Sequence, residues 1–235
     1  PLTYEIIGDT VTIKGCKETS SGPLEIPSTH EGRPVTSIGS WAFWKCTNLT
    51  SITIPDSVTS IGNFSFHSCS SLTSVAMGNN VSNIMAGVFF GCGSLTSVTI
   101  PDSVTSIDRG AFVGCSILTR IEADKGNAQY SSEDGVLFNK HKTELVLFPT
   151  GKSGHYAIPD SVTSIGTSAF RECTRLTNIT IPDSVTSIGD YAFAFCNSLT
   201  SITIPDSVTS IGRSAFNGCS SLTSITIGDG VTSIG

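Results

Sequence analysis

A chain of 235 residues could fill one or two ordinary domains, but its charge already excludes several functions. The net charge is −6, and the 13 Lys and Arg are not clustered, so the chain has no electrostatic footprint for nucleic acid. Charged residues are 14 % of the total, against about 25 % in ordinary soluble domains. Ser and Thr take their place, and no apolar run approaches the ~18 residues of a membrane span.

Residues 1–34 form the first segment. Tyr4-Glu5-Ile6-Ile7 and Thr10-Val11-Thr12-Ile13 read as two short strands around a Gly8-Asp9 turn. Such a pair covers the end of a repeat array, and an N-terminal cap is expected here, with a docking element as the alternative. The chain is expected to be trimmed at both ends and to continue past Gly235.

Residues 35–120 are repeats. Leu49, Leu72, Leu95 and Leu118 open successive units of one fixed length, and Leu176, Leu199 and Leu222 resume the series. In the unit LTSITIPDSVTSIGNFSFHSCSS (Leu49 to Ser71), Ile52 and Ile54 alternate with Ser51 and Thr53 at strand spacing. Pro55 ends the strand because it lacks a ladder donor, and Pro55-Asp56-Ser57 makes a turn. Gly62 permits a tight corner. Phe66 and Cys69 lie three apart, which predicts a short helical or 3₁₀ segment on the outer side. No unit can bury its apolar face alone, so stacking must align Phe43, Phe66, Phe89 and Phe112, then Phe170, Phe193 and Phe216, as internal columns. Seven of the eight cysteines share one phase (Cys46, Cys69, Cys92, Cys115, Cys173, Cys196 and Cys219), and Cys16 stands apart. Their side chains point inward in parallel rather than converging, so free buried thiols are expected instead of disulfides or a zinc site.

Residues 121–157 are an insertion. Gly135-Val136-Leu137-Phe138 and Glu144-Leu145-Val146-Leu147-Phe148 flank a polar tip, a hairpin pattern. It is read either as packed over the core with a solvated tip or as a binding loop. Residues 158–235 return to the repeat. All four segments are expected to form one solenoid domain.

The unit LTSITIPDSVTSIGxxAFxxCxS, with seven Phe and seven Cys positions in register, resembles the BspA-like leucine-rich-repeat family. The resemblance covers about residues 24–235. It implies an α/β repeat solenoid, coiled right-handed, with one parallel β-sheet and short helical or 3₁₀ convex segments. It also implies a secreted or cell-surface adhesive role and no catalytic residues.

Candidate chemistry is sparse. Gly151-Lys152-Ser153 has the end of a phosphate-binding loop, but Val146 stands where that motif needs Gly. His30, His67, His141 and His155 are scattered, and there is no Ser-centred elbow or H-E-x-x-H. Asp56, Asp102, Asp160, Asp183, Asp206 and Asp229 share a phase. They are read as turn caps, with Ca²⁺ as the weaker reading. Four N-x-S/T sequons begin at Asn48, Asn63, Asn80 and Asn178, as chance would produce in so Ser/Thr-rich a chain.

The outward strand positions make a hydroxyl ladder. Ser51, Thr53, Ser97, Thr99, Thr180 and Thr203 are candidate contacts, Arg120 and Glu122 break the pattern, and Lys140, His141 and Lys142 form the hairpin tip. Differences between units gather around the Phe segment, at Trp44-Lys45, Asp108-Arg109, Arg171-Glu172, Asp190-Tyr191, Phe195 and Arg213. They are read as drift, with a recognition surface as the alternative. No cofactor, no enzyme activity and no nucleic-acid partner are expected. The expected function is an adhesive module for a protein or glycan at the cell surface or outside the cell. The alternatives are a stalk displaying another domain and, behind it, a Ser/Thr ladder binding ice or a mineral.

Overall fold

The computed structural model describes residues 2–235; Pro1, within the expected cap, lies outside them. The chain divides into two compact units, Pro1–Gln129 and Tyr130–Gly235.

In the first unit, Leu2–Ile7 and Thr10–Cys16 form the expected antiparallel hairpin. Its second strand then pairs in parallel with Arg33–Ile38, which pairs with Ser60–Ile61, so Ile13, Ile38 and Ile61 share one register. A separate parallel ladder, the first within each repeat in chain order, joins Ser21–Glu25, Asn48–Thr53 and Ser74–Ala76 and aligns Leu24, Ile52 and Val75. Residues 21–38 therefore already carry both strands of a repeat. The short antiparallel excursion Thr29–His30 against Arg33–Ile38 hides this in the sequence. Further on, Asn83–Ile84 pairs with Ser106–Ile107, and Ser97–Ile100 pairs with Arg120–Ala123, all in parallel.

Each repeat thus contributes to two parallel ladders, not to the single sheet expected. Alternating Ile residues build the first ladder and Pro55 ends it. The Val58 N–H donates to Pro55 O (3.0 Å) to close the turn. Ser60–Ile61 builds the second ladder, and the chain corners at Gly62. A Cβ there would lie 2.5 Å from the Ser40 backbone nitrogen, so adjacent coils approach too closely for any side chain.

The expected helical segments are absent: among the described residues there is no α- or 3₁₀-helix. The stretch holding Phe66 and Cys69 is a run of successive turns. His67 N–H donates to Phe64 O and Cys69 N–H to Phe66 O, the three-residue bonds that the spacing suggested. Phe64 and Ser68, however, have φ of 55° and 61°, left-handed values that a right-handed helix cannot absorb. Their N–H groups, with that of Phe66, turn outward to Ala86, Val88 and Phe90 carbonyls of the next coil, at 2.7–3.0 Å. The same bonds recur from Ser168, Phe170 and Glu172 to Asp190, Ala192 and Ala194. Bonding between coils thus takes the donors that a helix would use internally, and all sides of the repeat become β-like.

In the second unit, Tyr130–Glu133, Val136–Asn139 and Glu144–Leu147 form an antiparallel sheet that contains the expected hairpin. Glu144–Leu147 also opens a parallel ladder through Ser164–Ile165, Ser187–Ile188, Ser210–Ile211 and Ser233–Ile234. Gly154–Ala157 pairs with Leu176–Thr180 and aligns Tyr156 with Ile179. Residues 144–158 are therefore an irregular coil, with Leu145, Phe148 and Tyr156 in core positions and the hairpin grown from its leading strand.

The columns form in both units. Ring centroids in the Phe43, Phe66, Phe89 and Phe112 stack are 4.9–5.6 Å apart; those of Phe148, Phe170, Phe193 and Phe216 are 4.9–5.4 Å apart. All eight cysteines are free. The Cys69 thiol donates to Phe43 O (3.0 Å), Cys92 to Phe66 O (3.1 Å) and Cys115 to Phe89 O (3.2 Å). Each is a small apolar filler that also satisfies a carbonyl of the preceding coil. Burial pushes the thiols of Cys69, Cys92 and Cys173 well above the usual range. Cys16, apart in sequence, ends the column in space: its carbonyl lies 3.9 Å from the Cys46 sulfur.

Candidate functional site

The outward positions of the first ladder are placed by strand alternation. In the first unit, Ser51 and Thr53 pair with Ser74 and Ala76, and Ser97 and Thr99 pair with Arg120 and Glu122. The Arg120 guanidinium donates to Glu122 Oε1 at 2.6 Å along the strand, so this pair is engaged with itself. Beside the row, Thr73 Oγ1 donates to Thr50 O (2.9 Å), and Thr96 and Thr119 repeat the bond one coil on (3.5 and 3.3 Å). These hydroxyls reinforce the coil-to-coil contact.

In the second unit, Thr180 Oγ1 shares a hydrogen bond with His155 Nε2 (2.9 Å). Thr203 lines an open groove of about 670 Å³ with Asn178, Ser201, Asp206 and Asp229. Asp206 Oδ1 accepts the Asp229 N–H (2.9 Å), and in the first unit Asp56 Oδ1 accepts the Asn79 N–H (2.7 Å). Each carboxylate caps the next coil's turn. Among the described residues no cluster of three His, Cys, Asp or Glu side chains is arranged to hold a metal ion. At the hairpin tip Lys140 and His141 are exposed, while Lys142 Nζ bonds Glu133 at 2.6 Å. Asn139 Oδ1 closes the tip by accepting the Thr143 and Glu144 N–H groups. The hairpin tip and the Thr180/Thr203 row belong to the second unit, and the other six candidates to the first.

The most distinctive surface lies elsewhere, on the turn segments of the first unit. Trp41 stacks on Phe64 (centroids 4.6 Å, 16° between planes) and meets Trp44 edge-on at 6.3 Å. His67 stacks on Phe90 (4.8 Å, 4°), and Lys45 Nζ sits 4.4 Å over the Trp44 ring. Trp41 is 48 % exposed and Trp44 42 %. Both aromatic rows follow the repeat: Phe64 and Phe90 lie one unit beyond Trp41 and His67. Trp41 and Phe64 hold left-handed backbone, φ 61° and 55°, in a position where the next coil uses Gly87. A Cβ on Gly87 would lie 2.2 Å from the Phe64 ring, so the ring lies directly over that glycine. One residue before each ring of the first row the chain lines a groove of about 420 Å³, in which Ile38, Ile61, Met85, Gly39 and Gly62 make the larger apolar part, Thr12, Ser37, Ser40, Ser60, Asn63 and Asn83 supply the polar groups, and no ionisable side chain takes part. Whether Trp44 is read as drift or as part of a recognition surface, its identity alone does not display these rows. The signal was Trp41 with Phe64, and His67 with Phe90, at the unit's own spacing.

The coils thus repeat every 23 residues, with two parallel ladders and an inward Phe and Cys at fixed phase. The model of the BspA type leucine-rich repeat region matches residues 36–153 and 147–235, in 6 copies. The chain belongs to this family. Among solved structures, a leucine-rich repeat protein from Eubacterium ventriosum is 28 % identical with a TM-score of 0.68, over 93 % of this chain and 68 % of that one. Two others share the BspA-type chain's fold at lower identity. The pneumococcal vaccine antigen PcpA is 19 % identical (TM-score 0.70; 99 % of this chain, 83 % of that one). The leucine-rich repeat protein of T. pallidum is 23 % identical (TM-score 0.57; 94 % and 87 %). No curated protein matches the chain.

Proposed function

We infer that the chain is a non-enzymatic binding module, secreted or displayed at a cell surface, that adheres to host matrix proteins, cells or glycans. The observation that carries this reading is the surface of exposed Trp41, Trp44 and Phe90 stacked with half-buried Phe64 and His67, on an otherwise hydroxyl-coated, weakly charged exterior. Aromatic side chains are the anchors on which recognition energy concentrates. Repetition adds avidity when several copies engage one surface. The test is to tetramerise the chain and measure its binding to matrix proteins, cultured cells and immobilised glycans. Saturable binding above a control protein of equal charge is expected. No binding by the tetramer to any of them would overturn the reading.

The outward Thr rows favour a second reading, a stalk displaying another domain, because their hydroxyls already serve neighbouring coils. Removing whole coils from a stalk changes reach in proportion to length, whereas removing the aromatic coils from a binder abolishes attachment.

A further inference from the structure

We propose that the groove beside Trp41 and Phe64 binds a neutral oligosaccharide. This rests on the reading of the chain as a binding module and names the ligand class of its aromatic surface. The groove belongs wholly to the first unit and crosses the coils that contain Gly39, Gly62 and Met85. Its polar side chains are hydroxyls and amides, which both donate and accept. They suit the hydroxyls of a sugar and offer no counter-charge to a carboxylate, sulfate or ammonium group.

Trp41 directly follows Ser40, and Phe64 directly follows Asn63, so the stacked rings continue the chain from two groove-lining residues without lining the groove themselves. The Trp41 N–H donates to Asn63 O (3.1 Å) and ties the two coils together at that point. A pyranose has one face of C–H groups and a rim of hydroxyls. The face packs on an aromatic ring while the rim reaches Asn and Ser side chains. Parallel coils repeat every ~4.8 Å, close to the length of one sugar residue, so a chain of sugars can meet like groups on successive coils. The volume, about 420 Å³, lies in the range of ligand sites, ~300–1,000 Å³. A protein partner would use the rings equally well, but an uncharged lining that sets hydroxyls and amides among apolar side chains matches the mixed C–H and hydroxyl surface of a sugar.

Both tryptophans of the chain, Trp41 and Trp44, lie on this surface, so a Trp44→Phe variant leaves Trp41 as the sole tryptophan, excited at the red edge where tyrosine does not absorb. That variant would be titrated with neutral hexasaccharides (cello-, malto-, xylo- and manno-series), with heparin hexasaccharide and with a peptide library. At least one neutral series is expected to shift Trp41 emission. By calorimetry in the unaltered chain, Trp41→Ala and Asn63→Ala should each weaken that binding by about tenfold or more, while Trp41→Phe retains most of it. Unchanged melting of the variants shows that they fold. Neutral-sugar binding that ignores both alanine variants overturns the site. Binding of heparin or peptide alone overturns the ligand class and leaves the adhesive reading standing. If no probe binds and the tetramer is also inert toward matrix and cells, both fall.

Discussion

Ser65 sits between Phe64, which faces the solvent row, and Phe66, which faces the core. Its hydroxyl is fully buried and has no hydrogen-bond partner. Neighbouring coils place Ala42, Val88 and Ala111 at the same phase, all buried. A buried hydroxyl without a partner costs free energy that a methyl does not. Ser65→Ala should therefore stabilise the chain by about 1 kcal/mol, seen as a higher urea midpoint with unchanged slope; a lower midpoint would mean the hydroxyl has a partner after all. The inward phases were legible from residue identity alone because the same Phe, Cys and Ile recur. The aromatic surface was less so. Trp44 looks like a single departure from the unit, and only Trp41 over Phe64 and His67 over Phe90, coil on coil, turn scattered rings into two rows.

Within each unit the inward cysteines share one buried environment. In the unfolded chain a thiol ionises near pH 8.5, whereas burial keeps Cys69, Cys92 and Cys173 protonated well above that. The native state thus binds more protons above pH 8.5, and stability falls as pH rises. Below pH 8.5 these thiols are protonated in both states and their contribution is fully present. The loss should approach about 1.4 kcal/mol per pH unit for each such thiol, read as a falling urea midpoint between pH 7.5 and pH 9.5. Cys92→Ala should make the decline shallower, and a pH-independent midpoint would show the thiols to be solvated. The strands were readable from alternation, but the expected helices were not there. A Phe-to-Cys spacing of three fits a helix and a run of turns equally, and what separates them is where the N–H groups of Phe64 and Ser68 go. Sequence does not display that until the next coil is in place.

At the scale of the whole molecule, each unit is held by nearest-neighbour contacts between coils. Deleting Ser187–Thr209 removes one period and joins Thr186 to Ser210, restoring the phase that Ser187 held. That variant should keep a single cooperative melt at a lower Tm. Deleting Ser187–Val208, one residue fewer, moves the following strands out of phase and sends inward side chains outward, so its melt should broaden or vanish. Equal behaviour of the two would deny the register. Two coils stayed hidden in the sequence. In residues 21–38 the excursion Thr29–His30 separates Ile26 from Val35, and in residues 144–158 Gly154 and Tyr156 stand where other coils have Leu and Ile. Both keep the hydrogen bonding of a repeat after losing its spelling.

The left-handed residues of the turn segments carry a consequence for how such a chain can change. Cohesion along that side is delegated to peptide groups, which every amino acid but proline supplies. Unequal exchange between DNA copies of the unit can therefore shuffle Trp, Phe, Tyr, Lys, Glu or Ser among these places, and each product still closes its main-chain bonds. The coil acts as a rack with interchangeable fittings, and novelty in what it holds need not wait for novelty in how it folds.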